Sequence, residues 1–146
     1  MSNRVMIDSS LLVEFSKGDK KKLLITLINN PEIECCINDI VVSEYLYYYL
    51  ALKGGASPMS LKSSEKIPEI IAQSEDYLLA TNFSLLSTND SIFSLVPSFM
   101  RQYNLLPNDA IILATCKIHN ITQFASHDKD FKDACKSEGI ELLIEE

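Results

Sequence analysis

LLPNDAIILATCKIHNITQFASHDKDF, residues Leu105–Phe131, carries a helix signature that runs straight into a strand signature. Pro107 suits the first turn of a helix, where its missing N–H would have no partner anyway. Asn108 and Asp109 can cap or sit at a helix N-terminus, where the backbone dipole favours an anion. Ala110, Ile111, Ala114 and Ile118 recur at helical spacing, and the two alanines let that helix approach a sheet closely. Asn120 is a suitable stop, and Thr122–Ser126 has the length of a strand. His127-Asp128-Lys129-Asp130 follows at once. Carboxylates thus stand at a helix start and just past a strand end, where open α/β sheets hold ligands. Each also has a local role open to it: a cap for Asp109, a polar turn for Asp128 and Asp130.

Upstream, the same alternation repeats. Arg4–Ile7 is a short apolar run ending at Asp8-Ser9-Ser10, the pattern of a buried first strand. Ser9 or Ser10 can cap the following helix, carried by Leu11, Leu12 and Phe15 and stopped by Gly18. Asp8 therefore sits at a strand-to-helix turn, where it could also cap. Asp19–Asn30 reads as an amphipathic helix with Leu23, Leu24, Leu27 and Ile28 inward. Its Lys20, Lys21 and Lys22 form either a solvated face or a phosphate-contacting patch. Ile33–Ile37 makes a second strand, and Asn38 or Asp39 opens a long helix through Lys53, stopped by Gly54-Gly55. On that helix Glu44 shares a stripe with Val41 and Tyr48, and a carboxylate on a buried face is costly without a partner. Tyr45, Tyr47, Tyr48 and Tyr49 cannot all face one core, so part of this helix is expected to meet a partner or line a groove.

Ala56–Ser64 reads as a polar, mobile loop, Pro68–Leu79 as one or two short helices, and Phe83–Ser87 as a third strand. Thr88, Asn89 or Asp90 can cap a helix over Ser91–Tyr103, which Pro97 should kink or shorten. Lys132–Glu138 is a short helix stopped by Gly139, and Ile140–Ile144 a last strand. Neither repeats nor a linker interrupt the chain, so residues 1–146 read as one domain. The expected architecture is a three-layer α/β/α sandwich on a mainly parallel sheet.

With 146 residues and 47% hydrophobic content, the chain can bury a real core. It has no apolar run of about 18 residues, and Arg4 and Asp8 interrupt what would be a leader, so a cytoplasmic protein away from the membrane is expected. Cys35, Cys36, Cys116 and Cys135 lack C-x-x-C spacing and read as buried, reduced thiols; structural zinc is not expected. The net charge of −7 weakens a general nucleic-acid-binding surface. Setting aside Asp8, Glu44, Asp109, Asp128 and Asp130 as ligands moves −7 to −2, and cations in such a pocket would still let it take a polyanion.

Oxygen ligands without histidine or cysteine favour Mg2+ or Mn2+ over zinc, and that set suits phosphoryl chemistry. Taken in order, IDSS at Ile7–Ser10, VVSEYL at Val41–Leu46, PNDAIILAT at Pro107–Thr115 and SHDKDF at Ser126–Phe131 resemble a PIN domain over nearly the whole chain. The resemblance implies a Mg2+- or Mn2+-dependent endoribonuclease of the VapC toxin type. It matches Asp8, Glu44, Asp109 and Asp128 to the family's acidic quartet, with Asp130 a candidate fifth acid and Ser126 where threonine is frequent. It further implies an RNA substrate and a small antitoxin covering the acidic pocket, while the aromatic Tyr45–Tyr49 helix leads to an expected homodimer or stable partner complex. The alternative is a catalytically silent PIN-like module that binds RNA or protein. Haloacid-dehalogenase-like phosphatases need a second aspartate where this chain has Ser10. Response-regulator receivers need an acid pair where it has Asp8 alone.

Overall fold

A computed structural model describes residues 3–73 and 80–145. The chain opens with strand β1 (Asn3–Ile7), helices α1 (Ser9–Lys17) and α2 (Lys22–Asn29), and strand β2 (Ile33–Ile37). Three helices follow, α3 (Asp39–Gly54), α4 (Pro58–Ser63) and α5 (Ile67–Ile71), before strand β3 (Ser84–Leu85). The C-terminal part comprises α6 (Ile92–Tyr103), α7 (Pro107–Ile118), β4 (Gln123–Ala125), a 3-10 turn (Lys129–Phe131), α8 (Lys132–Ser137) and β5 (Glu141–Leu143).

The five strands form one sheet in the order β3-β2-β1-β4-β5, every pairing parallel. Helices flank it, as the alternation of elements predicts. Val5, Met6 and Ile7 of β1 are buried, as are Cys35, Cys36 and Ile37 of β2. Such continuous apolar runs are what a strand covered on both faces requires. Phe124 and Phe131 meet edge to face in the core, with centroids 4.8 Å apart. The chain grows from β1 to β2 and β3 on one side and places β4 and β5 on the other. The ends of β1 and β4 therefore flank a topological switch point.

Several local expectations are corrected. Asp8, not Ser9 or Ser10, holds the N-cap position of α1. Neither Asn108 nor Asp109 caps α7: Leu106 occupies the cap, and Pro107 and Asp109 both stand in the first turn, the other N-terminal place open to that acid. That helix is buried continuously from Ile112 to Cys116, more centrally than one stripe implies. The segment read as a loop at Ala56–Ser64 contains α4, because Ser57 caps through the Ser60 N–H (3.2 Å) and Pro58 fixes the first turn. Leu61 of α4 then packs so tightly on Gly54 that a Cβ there would lie 2.6 Å from it. α2 starts three residues late, since Lys20 is left-handed (φ 40°). α6 runs through Pro97 for 12 residues without shortening. Of the helices expected in Pro68–Leu79, the portion at residues 74–79 lies outside the described residues.

Candidate active site

Asp8 follows the last residue of β1 and is 4% exposed. Its carboxylate makes no side-chain cap bond to α1. Oδ2 instead accepts hydrogen bonds from the hydroxyls of Ser10 (2.8 Å) and Ser126 (2.7 Å). Ser10 Oγ accepts from the His127 N–H (3.0 Å), and Ser126 Oγ from the Asp128 N–H (2.9 Å). With the Asp8 N–H donating to the Ala125 carbonyl (2.9 Å), the ends of β1 and β4 are stitched together. Parallel pairing of Ile7 with Ala125 sets this up: the next residue of each strand, Asp8 and Ser126, emerges side by side.

Glu44 projects from α3 and is half-buried; Ser9 donates to its Oε1 (3.0 Å) and the Asn108 amide to Oε2 (3.4 Å). Asp109 stands in the first turn of α7, half-buried. Asp128 accepts from the Asp130 N–H (2.9 Å), so it does cap the 3-10 turn. Asp8, Glu44, Asp109 and Asp128 nevertheless line one cleft of about 590 Å³, with Ser9, Ser10 and Asn108. Asp130 is exposed and does not line the cleft, although its charge reaches Asp109.

Burial pushes the Asp109 carboxyl up to about 7, helped by the charges of Asp8, Glu44, Asp128 and Asp130. Asp8 is also raised by burial, against the hydrogen bonds from Ser126, Ser10 and the Ser9 backbone, with Asp128 adding to the rise. Glu44 is raised by burial too, the Ser9 bond opposing it and Asp8 reinforcing it. Burial holds the thiols of Cys35, Cys36 and Cys135 up near 11, so all four buried cysteines are inert core residues as expected.

The cleft is thus short of positive charge. Its carboxylate, hydroxyl and amide oxygens suit a hard divalent cation. Among the described residues no three His, Cys, Asp or Glu side chains stand close enough to hold an ion unaided. Any cation held here would therefore have to keep waters among its ligands, as Mg2+ usually does. Sequence reasoning missed Lys17, which lines the cleft and pairs with Glu14 at 3.4 Å. It read Ser9 and Ser10 as caps only; a hydroxyl pair directly after an acid at a strand end is the signal for their second role.

The PIN domain family model matches residues 5–137. The chain is 36% identical to Ribonuclease VapC6 of Methanocaldococcus jannaschii, covering 98% of each. It is 33% identical to Ribonuclease VapC2 of the same organism, covering 96% of this chain and 95% of the relative. It superposes on the crystal structure of VapBC2 from Rickettsia felis bound to a promoter DNA fragment with a TM-score of 0.64, at 14% identity and 98% and 99% coverage.

Proposed function

The chain belongs to the PIN-domain family, among the VapC ribonucleases, and on that premise we propose that it is a metal-dependent endoribonuclease, the toxin of a toxin–antitoxin pair. The observation that carries the reading is the meeting of Asp8, Glu44, Asp109 and Asp128 in one cleft from four separate parts of the chain. Asp8, Asp109 and Asp128 are the residues that would hold Mg2+ or Mn2+, with Glu44 as a further ligand or a partner to bound water. When bound, the cations supply an activated water and a counter-charge for the departing 3′ oxygen.

The chain's own residues prepare that chemistry. Ser10 and Ser126 fix one oxygen of Asp8, so its carboxylate is oriented before any cation or RNA arrives. Ser9 and Asn108 do the same for Glu44 from two different helices. The hydroxyls of Ser9 and Ser10 are spent as donors to these carboxylates, which leaves the attack on phosphorus to water and not to a side chain. A cyclic phosphate would need the RNA's own 2′-hydroxyl as nucleophile and the 5′ oxygen as leaving group; attack by water with the 3′ oxygen departing gives a 5′-phosphate and a 3′-hydroxyl, the products this reading expects. Incubating the protein with end-labelled single-stranded RNA tests this: cleavage with Mg2+ or Mn2+, none in EDTA, and 5′-phosphate ends by mass spectrometry are expected. Full cleavage in excess EDTA, or cyclic ends, would refute the mechanism. A purified protein that binds RNA in the presence of either metal without cutting it would favour the silent module.

An antitoxin of the pair would cover the acidic cleft, an arginine being the side chain best matched to carboxylates. Its presence is tested by coexpression with the neighbouring short reading frame and copurification.

A further inference from the structure

We infer that a second cavity, beside the acidic cleft, is a subsite for the phosphodiester backbone of single-stranded RNA; the inference rests on the ribonuclease reading above. The cavity encloses about 600 Å³ and is lined by Lys20, His127, Lys129, Lys132 and Glu145. The three lysines are exposed, and none forms an ion pair among the described residues. Glu145, the carboxylate on this wall, is already engaged, its Oε1 accepting from the Leu23 N–H at 2.6 Å. Three unpaired ammonium groups around one cavity repel one another, and in a chain of net charge −7 they mark a place built for an anion.

His127 adds an independent sign. Both of its ring nitrogens are buried and lack a hydrogen-bond partner. Buried polar atoms are rarely left so, and a turn of the ring toward the cavity would let whichever nitrogen carries the proton donate to a phosphate oxygen. Lys20 holds a left-handed backbone, φ 40°, a conformation uncommon outside glycine, and it brings this lysine onto the cavity from the α1–α2 turn.

Placement favours a polymer over a free anion. His127 and Asp128 are consecutive, yet His127 lines the basic cavity and Asp128 the acidic cleft. A strand crossing this turn would present one phosphate to the carboxylates and neighbouring phosphates to the lysines. An otherwise acidic protein thereby gains a defined polarity for its substrate, with the basic side taking phosphates that are not cut.

The test titrates a labelled single-stranded RNA against protein in the non-cleaving Asp109→Asn background, across a series of salt concentrations. Adding Lys20→Gln and Lys132→Gln is expected to weaken binding about tenfold. It should also lower the slope of log K against log salt by about 1.4, roughly 0.7 for each lost contact on a single strand. Lys20→Arg with Lys132→Arg should keep both values, and thermal melts should show all variants equally folded. Unchanged affinity and slope in the glutamine pair, no RNA binding in either protein, or a loss that inorganic phosphate reproduces without RNA, overturns the subsite. Cleavage of the labelled RNA by Asp109→Asn alone instead strikes at the assignment of the acids, and a gel of the same samples reads it separately.

Discussion

Asp109 is where the local and functional readings of a single residue separate. Its place in the first turn of α7 would suit any acid, since the helix dipole favours an anion there. Yet the carboxyl is pushed up to about 7 by burial and by four neighbouring carboxylates, the reverse of what a simple dipole partner would show. Asp109→Asn keeps the shape and removes the charge. The expected outcome is loss of RNA cleavage by orders of magnitude with the fold retained, and a metal-free protein at pH 8 at least as stable as the parent. Cleavage assays and thermal melts of both proteins check it. Normal cleavage with a stability loss of about 1 kcal/mol would return Asp109 to the role of a helix-start acid alone. The sequence pointed to Asp8, Asp109 and Asp128 by residue type and by position at element ends, and to Glu44 as a carboxylate on an apolar stripe of its helix. It could not separate Asp130 from them, because the two neighbouring acids part only when Asp128 caps the 3-10 turn and Asp130 faces solvent.

At the scale of elements, Asn38 connects the two helices that deliver acids to the cleft. Its Oδ1 accepts from the Val41 N–H (2.9 Å) and caps α3, the helix of Glu44. Its amide donates to Thr115 Oγ1 (2.8 Å) on α7, the helix of Asp109. Thr115 in turn donates to the Ile111 carbonyl, and both Asn38 and Thr115 are buried. Asn38→Ala should cost about 1–2 kcal/mol for the cap alone, and somewhat more for the bond that the Thr115 hydroxyl no longer accepts on α7. Urea unfolding measures this, and a cost below about 0.5 kcal/mol would show that the contact between the helices carries little. Asn38 was legible as a cap, since the side-chain chemistry is local; its reach to Thr115, 77 residues away, was not. The same distinction explains the other elements. β1 and β2 follow from the apolar runs Val5–Ile7 and Cys35–Ile37 that end them, whereas β3 and β4 shorten to two and three residues because parallel pairing, not composition, sets their ends. α4 was read as a loop from its serines, although Ser57-Pro58 is itself a helix-start signal.

For the whole molecule, the aromatic face of α3 bears on assembly. Tyr49 is buried and Tyr45 donates to or accepts from Ser16 at 2.9 Å, while Tyr47 and Tyr48 remain 56% and 52% exposed. Two neighbouring phenol rings in water, packed edge to face at 5.8 Å, suit a contact with a second copy or a partner protein. A homodimer is expected in sedimentation, with Tyr47→Ser/Tyr48→Ser shifting it toward monomer. A strict monomer at high concentration in the parent protein would discard the idea.

The acidic cleft also sets how the stability of the whole chain depends on pH and on cations. Asp8, Glu44 and Asp109 all have folded-state affinities for protons above those of free carboxyls. The folded protein therefore binds more protons than the unfolded one between about pH 4 and the Asp109 value near 7. By linkage, the metal-free protein loses stability as pH rises through that window, and the repulsion is fully felt above it. A divalent cation reverses the sign, because it binds the deprotonated set and only the folded chain assembles that set. At a hundredfold excess over Kd it should add about 2.7 kcal/mol, a shift of several degrees in Tm. The gain from Mg2+ or Mn2+ should accordingly be larger at pH 8 than at pH 5.5, where protons compete for the carboxylates. Thermal melts at the two pH values, with and without cation, measure both slopes, and Asp109→Asn should flatten them together. A cation effect that is equal at both pH values, or that survives Asp109→Asn undiminished, would locate the binding outside this cleft.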